Sequence, residues 1–334
     1  MRLRDSRTQL GWTQAKLAEQ AGVSRQLVSA VESGRHEPGV SAALALAAAV
    51  GVSVEVLFGS ERGREIAAVP VVGDTVPEGP VRAGLVGGSA VMVPVSPLDE
   101  LDGTVVEGRW TGSAVELAPG AEPASVVLAG CEPALGVLAG MASDRAGALW
   151  VKASSGEARA ALDAGRAHFA AIHDRADRLP TTPGGVVAFE LARWRVGLAY
   201  DRGQVGSAAE AVESGGAVVQ RDRSAGTQAA FERWVRRGHR VRPSGPRAPG
   251  HVEVCRIVHT GGAVAGVTAE PAAVAAGLGF EALEEHVVQL WCRRDMGGEA
   301  PVAELMDRFT SAAFAQRMAA MPAYDLAGLG TEAA

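Results

Sequence analysis

Polar side chains that can hold a small ligand recur in the second half of this 334-residue chain, each where a predicted strand ends. Cys131 and Glu132 open a helix after one strand, and Ser154 and Ser155 open another helix after the next. His173 lies just past a third strand. Because ligands of sheets flanked by helices sit at the carboxyl ends of the strands, we expect these side chains to converge on one cleft.

A fourth segment has small residues that leave backbone amides exposed at a helix start, and it contains Ser224, Gly226 and Thr227. Thr268, followed by Glu270, comes after a returning strand and can complete the site. Hydroxyl groups together with helix-terminal amides suit an oxyanion or a carboxylate. Ordinary helix N-capping uses the same residue types and is the alternative interpretation of each segment.

The chemistry of the ligand stays open because two acidic residues lie near the expected cleft. A carboxylate from Glu132 or Glu270 that faces the cleft repels a bound dianion at low dielectric. The ligand is then neutral, cationic or amphoteric. If Glu132 instead favours the helix N-terminus from outside the cleft, an oxyanion remains possible.

Cys131 allows two further interpretations. A cysteine at a helix N-terminus can have a lowered pKa and act as a redox or electrophile sensor, although buried, inert cysteines are commoner. Together with His173 it could also serve an enzyme. Against this, the sequence has no nucleophile elbow, phosphate-binding loop or metal-ligand spacing, so we predict neither a catalytic site nor a metal nor a cofactor.

Alternating strand and helix patterns position these segments from residue 124 onward. The alternation predicts parallel sheets with helices on both faces. Between residues 60 and 123 the chain is rich in Gly, Pro and Val, with short alternating runs that predict a small β-rich connector. Residues 1–59 differ from both, because their patterns predict helices.

Two short helices separated by a tight turn stand out in the first part of the chain. Thr13 begins the first helix, Gly22 lies in the turn, and Ser24 begins the second, which ends before Gly34. Both hydroxyls are good N-caps. A second helix held in this way can enter the major groove of DNA.

This region resembles the Cro/repressor-type, or xenobiotic-response-element (XRE), helix-turn-helix family. The resemblance rests on Leu10–Ala18, Gly22-Val-Ser24, Val31–Arg35 and Pro38. It implies contacts to double-stranded operator DNA from the turn, the second helix and the start of the preceding helix: Gln14, Ser24, Arg25, Gln26, Ser29, Ala30 and Arg35. Ala30 departs from the long polar residue of some repressors and offers only a methyl contact.

The charge of residues 1–60 is weak for a DNA-binding domain. Six basic residues stand against five acidic residues, which leaves a net charge of +1. A single copy would bind weakly, so we expect a homodimer on a palindromic operator. The whole chain has a net charge of −6, which argues against a protein that coats nucleic acid without specificity.

The remainder is similar to the type II periplasmic-binding-protein fold, and more narrowly to substrate-binding-like domains fused to helix-turn-helix regulators and related to molybdate-binding proteins. The resemblance is carried by Leu128–Leu135, Ala161–Ala170 with His173, Arg221–Gln228 and Gly262–Thr268. It implies two lobes, the first formed by residues 124–180 and 272–330 and the second by residues 181–271.

Composition sets the remaining expectations. At 47% apolar residues the chain can bury real cores. Three widely spaced cysteines, an N-terminus without an apolar signal segment and no apolar run long enough to span a membrane indicate a cytoplasmic protein. The sequence therefore predicts a multidomain protein: an all-α helix-turn-helix domain (1–59), a β connector (60–123) and an α/β two-lobed domain (124–330).

The resemblances imply a regulator that binds operator DNA as a dimer and responds to a small-molecule or oxyanion effector. One alternative is a DNA-binding regulator whose second domain only oligomerises. A redox sensor or enzyme built on Cys131 is the other.

Overall fold

The computed structural model describes residues 3–58, 64–96, 99–100, 104–142, 147–238 and 244–333. The chain divides into two compact units. The first comprises Met1–Ala67, Glu78–Val81 and Ser96–Glu122, and the second comprises Ala68–Pro77, Arg82–Val95 and Pro123–Ala334. The predicted connector contributes residues to both units.

Helices form the start of the first unit: α1 Leu3–Gln9, α2 Gln14–Ala21, α3 Arg25–Glu32, α4 Val40–Val50 and α5 Val54–Phe58. The predicted helix-turn-helix is confirmed. Thr13 Oγ1 accepts from the amide of Lys16 at 3.2 Å and Ser24 Oγ from that of Leu27 at 3.1 Å, so both hydroxyls cap their helices. Gly22 has a φ of +63°, a conformation that glycine adopts without steric cost.

The core of this helical part contains Leu17, Ala18 and Val28, which are buried and pack with residues of α1, α4 and α5. Val23 and Val31 are half-buried against them.

Short strands follow the helices: β1 Glu65–Ile66, β2 Ala68–Pro70, β3 Gly79–Val86, β4 Ser89–Pro94, β5 Gly108–Trp110 and β6 Val115–Leu117. In the first unit β1, β6, β5 and the beginning of β3 pair antiparallel in that order. In the second unit β2 pairs with β4 in parallel. Val71, Val86 and Val91 join a core of the second unit.

A seven-stranded sheet organises the second unit. Its strands are β7 Val126–Ala129, β8 Ala148–Val151, β9 Phe169–Asp174, β10 Val186–Tyr200, β11 Val218–Val219, β12 Ala265–Ala269 and β13 Gly279–Arg293. Their order is β11-β12-β10-β13-β9-β7-β8. β7 pairs in parallel with β8 and β9, as β11 does with β12.

The expectation of a wholly parallel sheet is wrong at the centre. The two 15-residue strands β10 and β13 run antiparallel to each other, and each runs antiparallel to its other neighbour. The order of helices and strands along the chain does not give the direction of each strand. A long connection between two strands can bring the chain back into the sheet at either end of the sheet.

Helices of the second unit are α6 Ala134–Ala139, α7 Ser155–Asp163, α8 Ala208–Glu213, α9 Gly226–Gly238, α10 His251–His259, α11 Glu270–Ala275, α12 Ala300–Phe309 and α13 Ala312–Ala319. α12 and α13 are separate helices because the hydroxyl of Ser311 caps α13 by accepting from the amide of Phe314. Within the described residues, no helix is both long and apolar enough to cross a membrane.

The buried apolar residues of the second unit form separate clusters. Two are built mainly from β7–β9 and the C-terminal half of β13, and one of these also includes Ala230 and Ala269. The other two are built, between them, from β11, β12 and the helices α8 to α11. β10 and β13 contribute to clusters of both kinds. This division accords with two lobes, whose boundaries stay predictions.

Candidate functional site

The predicted DNA-reading residues lie on the surface of the first unit. Ser24, Arg25, Gln26 and Arg35 are exposed, and Ser29 and Ala30 are half-buried on the next turn of α3. The exposed residues at the N-terminal end of α3 are those that a recognition helix presents to base edges.

A polar network fixes α3 against the helices before it. Arg7 pairs with Glu32 through Nε–Oε1 and Nη2–Oε2 distances of 2.6 and 3.1 Å, and Gln14 Nε2 donates to Glu32 Oε2 at 2.8 Å. Burial raises the pKa of Glu32, but the bonds from Arg7 and Gln14 outweigh this and leave it lowered. Gln14, the predicted phosphate contact, thus has one amide hydrogen committed to Glu32 and keeps its second hydrogen and its oxygen.

In the second unit, four side chains from different elements meet in the interior. Cys131 Sγ lies 3.3 Å from His173 Nε2 and 3.5 Å from His251 Nε2, and His173 Nδ1 lies 3.1 Å from His286 Nδ1. All four are buried, and Trp194 stacks on His286 and contacts the other two rings. We call these four residues together with Arg221 the buried cluster.

The hydrogen bonds assign the proton on His251. Its Nδ1 accepts from the backbone amide of Ala269 at 3.1 Å. A backbone N–H can only donate, so Nδ1 carries no hydrogen and the ring proton lies on Nε2. His251 therefore presents an N–H to Cys131.

The contact between His173 and His286 limits which nitrogens of these two rings can carry protons. One of the two facing Nδ1 atoms must accept, so at least one ring is neutral. His286 Nε2 lies 3.6 Å from Glu284 and 3.8 Å from Asp174, which favours its proton on Nε2. Nδ1 of His286 then accepts from His173, whose Nε2 is left to accept from the Cys131 thiol.

Burial governs the protonation of the cluster. It lowers the pKa values of His173 and His251 well below 6.5, with further lowering by neighbouring positive charge including Arg221. It lowers that of His286 to about 4, although Asp174 and Glu284 act in the opposite direction. Burial also raises the pKa of the Cys131 thiol, against the smaller effect of Arg221, which is the reverse of what a reactive thiolate needs.

Arg221 is fully buried, and its backbone is held on both sides. The amide donates to Gln228 Oε1 at 2.9 Å, and the carbonyl accepts from the Arg247 guanidinium. Among the described residues its own Nε, Nη1 and Nη2 make no hydrogen bond of normal length and angle, and the acceptor beside them is the sulfur of Cys131, which is a weak one. Since a buried charge normally pairs, this side chain suits an anionic ligand.

The other predicted ligand residues border the cluster, and several have partners within the protein. Ser155 Oγ accepts from the amide of His173 at 3.2 Å. Ser154 caps α7 in a capping box with Glu157, and its Oγ lies 2.6 Å from that of Ser224, which is exposed. N-capping thus explains Ser154 without a ligand.

Gly226, Thr227 and Thr268 are buried. A Cβ on Gly226 would lie 2.9 Å from the carbonyl oxygen of His173, so this glycine allows α9 to pack against the cluster. Thr268 Oγ1 donates to the carbonyl of His251 at 3.2 Å. Thr227 Oγ1, by contrast, has no hydrogen-bond partner in the described part of the chain.

Glu132 has its own partners. Its Oε1 accepts from the amide of Ala134 at 3.0 Å and from Tyr324 at 2.5 Å, and its Oε2 accepts from Trp194 Nε1 at 2.8 Å. Burial raises its pKa, which favours the uncharged acid. Glu270 pairs with Arg195. Neither carboxylate poses the repulsion that kept an oxyanion in doubt.

A metal ion fits this cluster poorly. The donor atoms of Cys131, His173 and His251 lie within 4.8 Å of one another, and thiolate with imidazole is a ligand set for zinc. However, Nε2 of His251 carries the proton and so lacks a free lone pair. The guanidinium of Arg221 adds a positive charge beside the same atoms.

Sequence reasoning missed Arg221, His251, His286 and Trp194. Arg221 begins one of the segments that carry the family resemblance. Arginine is mostly a surface residue, so its burial could not be expected from the residue type. For His251 the one available signal was its position after Gly250, at the N-terminus of a helix.

Comparison with known proteins identifies both parts. Residues 139–310, more than half of the chain, match the model of the PBP-like family, a PBP superfamily domain. The chain belongs to this family. Residues 3–57 match a helix-turn-helix family.

Relatives of the helix-turn-helix part include an uncharacterized HTH-type transcriptional regulator of Methanothermobacter thermautotrophicus, 45% identical over 49 residues that are 15% of this chain and 71% of that protein. The P22 c2 repressor, solved with a synthetic operator, is 34% identical over 17% of this chain and 89% of its own, with a TM-score of 0.17. The chain thus carries a helix-turn-helix domain of the kind found in transcriptional regulators.

Among solved structures similar to the second unit is an ABC-type phosphate transport receptor from Vibrio cholerae. It is 14% identical, covers 58% of this chain and 97% of its own, and has a TM-score of 0.39. The two family matches confirm the resemblances to a helix-turn-helix domain and to a periplasmic-binding-protein-like domain that the sequence shows.

Proposed function

We propose that this protein is a ligand-responsive transcriptional regulator. As a homodimer it binds a palindromic operator through α3, and a small molecule or oxyanion bound at the buried cluster changes that affinity. The observation that carries the proposal is the buried guanidinium of Arg221, which has no hydrogen-bond partner among the described residues and lies with residues predicted to bind a ligand.

The DNA half of the proposal is supported by the exposure of Arg25 and Gln26 at the start of α3. Arginine can bind guanine and glutamine can bind adenine through paired hydrogen bonds in the major groove. Two copies place two recognition helices about one helical turn apart, roughly 34 Å.

A second unit that only oligomerises is the main alternative. Such a domain has no need of an unpaired cation in its interior, since a buried charge without a partner destabilises the fold. An enzyme or redox sensor built on Cys131 is less well supported, because the thiol is buried and its pKa is raised.

The test is a thermodynamic cycle on the full chain. An operator fragment is first selected from random duplexes. Its affinity is then measured with and without saturating sodium formate or sodium molybdate, and anion affinity is measured with and without operator. Linkage requires the two ratios to be equal, and coupling of about 1–3 kcal/mol is typical.

If an anion binds but neither ligand changes the affinity for the other, the second unit binds the anion without signalling to the DNA-binding domain. The regulator proposal would then give way to the oligomerisation alternative. Concentration-dependent sedimentation in the same buffer tests the homodimer separately.

A further inference from the structure

The charges around Arg221 limit what it can bind. Glu132 directs its oxygens to Ala134, Trp194 and Tyr324. Glu253 pairs with Lys152. Among the described residues, neither carboxylate accepts a hydrogen bond from the Arg221 guanidinium.

Glu284 is also committed elsewhere, because it forms a two-fold pair with Arg233 at 2.6 and 2.8 Å. The imidazoles add no fixed positive charge. His251 accepts a backbone amide and is neutral, and at least one of His173 and His286 must accept from the other. The guanidinium is therefore the one fixed charge that the described part of the cluster leaves unpaired.

The donors that lack partners point to the shape of the ligand. A guanidinium presents its N–H groups in a planar fork that matches two oxygens of a carboxylate. The Thr227 hydroxyl, buried and without a partner in the described residues, adds one donor. The same residue lies in the first turn of the 13-residue helix α9, whose initial amides have no intrahelical acceptor.

We propose that Arg221 is the principal ligand of a small effector that carries a single negative charge on a carboxylate-like group. The inference rests on the proposed function, because it specifies the effector of the same site. One unpaired guanidinium balances one negative charge. A dianion such as molybdate or sulfate leaves a second charge uncompensated in a buried site, so this group of residues selects against it.

The experiment measures binding of simple anions to the full chain by titration calorimetry at pH 7. Formate and nitrate are the planar, singly charged probes, and sulfate and molybdate are the doubly charged ones. Arg221→Met removes the charge at similar length, and Arg223→Met, which changes an exposed arginine two residues away, is the matched control. Thr227→Val is a second variant that leaves the charge in place.

We expect formate or nitrate to bind at least ten times more tightly than sulfate or molybdate. Arg221→Met should abolish that binding, Thr227→Val should weaken it several-fold, and Arg223→Met should leave it unchanged. Removal of an unpaired buried charge should also raise the melting temperature of the ligand-free chain. A melting temperature lowered by Arg221→Met would show that the guanidinium has a partner in the protein.

Preferential binding of the dianions, equal loss in both arginine variants, or no binding of any probe at tens of millimolar would overturn the inference. These outcomes differ from failure of the proposed function. If dianions bind and their binding is coupled to operator binding, the regulator proposal stands and the singly charged effector is refuted. If formate binds through Arg221 without coupling to operator binding, the singly charged effector stands and the regulator proposal is refuted.

Discussion

The Nδ1 atom of His251 lies 3.1 Å from the amide nitrogen of Ala269, and this one contact places the ring proton on the opposite nitrogen. This one hydrogen bond thereby decides whether His251 presents a donor or an acceptor to the rest of the buried cluster. With the proton on Nε2, His251 presents a donor beside Cys131 and Arg221. The interior offers hydrogen atoms to a ligand, which favours an anion over a metal ion.

The tautomer of His251 is directly measurable. In nitrogen-15 labelled protein at neutral pH, we expect the His251 ring to show a protonated Nε2 and an unprotonated Nδ1. The His251→Gln variant assigns the resonances, because only that ring disappears. A ring protonated on Nδ1 would mean that the amide of Ala269 has another acceptor, and it would reopen the case for a metal.

Stability should fall as pH falls through the range where the folded and unfolded states of His286 differ. Its pKa is about 4 in the folded chain and about 6.5 when unfolded. Between these values the unfolded state binds more protons, so the unfolding free energy rises with pH there and is constant above about 6.5. Each such histidine contributes up to about 1.4 kcal/mol per pH unit.

Urea denaturation at several pH values compares the wild type with His286→Gln. We expect the unfolding free energy of the variant to depend less steeply on pH than that of the wild type between about pH 4.5 and pH 6.5. His259→Gln, on the surface, is the control. Parallel curves for all three proteins would mean that His286 is not held neutral by burial.

Thr227 and Thr268 should respond differently to loss of the hydroxyl. Thr268→Val removes a hydrogen bond to the carbonyl of His251 and should lower the unfolding free energy by about 1 kcal/mol. Thr227→Val removes a buried hydroxyl that has no partner among the described residues, so the ligand-free stability should stay equal or rise. Chemical denaturation of both variants decides the matter, and equal destabilisation would contradict the prediction for Thr227.

Gln26 should specify one base position. Gln26→Ala should cost about 1–3 kcal/mol on operators with the preferred base there, and little on operators already changed at that position. Binding is measured at fixed salt on a set of single-base operator variants, with Gln20→Ala as an exposed control on α2. Weakening of equal size on every operator would show that Gln26 contacts only the backbone.

Local patterns predicted the helix-turn-helix because its determinants are local. Thr13 and Ser24 act on amides three residues away, and Gly22 acts on its own backbone. The same holds for β7 and β9, the strands that position Cys131 and His173, since each is a short apolar run. These are properties that a window of ten residues contains. The expected position of His173 is wrong by two residues, because it lies within β9 and not past it.

The centre of the site was not predictable in this way. Arg221 lies 90 residues from Cys131 in the chain, and its burial beside that residue depends on contacts between distant segments. The pairing of His173 with His286 likewise depends on β9 lying next to β13, where Val288 is opposite His173. Strand direction at the centre of the sheet decides such pairs, and element order does not reveal it.

Complete burial of Arg221 and Thr227 has a consequence for timing. A molecule held by these groups cannot leave until the surrounding protein moves, so its residence time is limited by the rate of opening. Motions of this kind occur between microseconds and seconds. The delay between a fall in effector concentration and a change in transcription would then be set by the protein's own motion, and two effectors of unequal affinity could be released at the same rate.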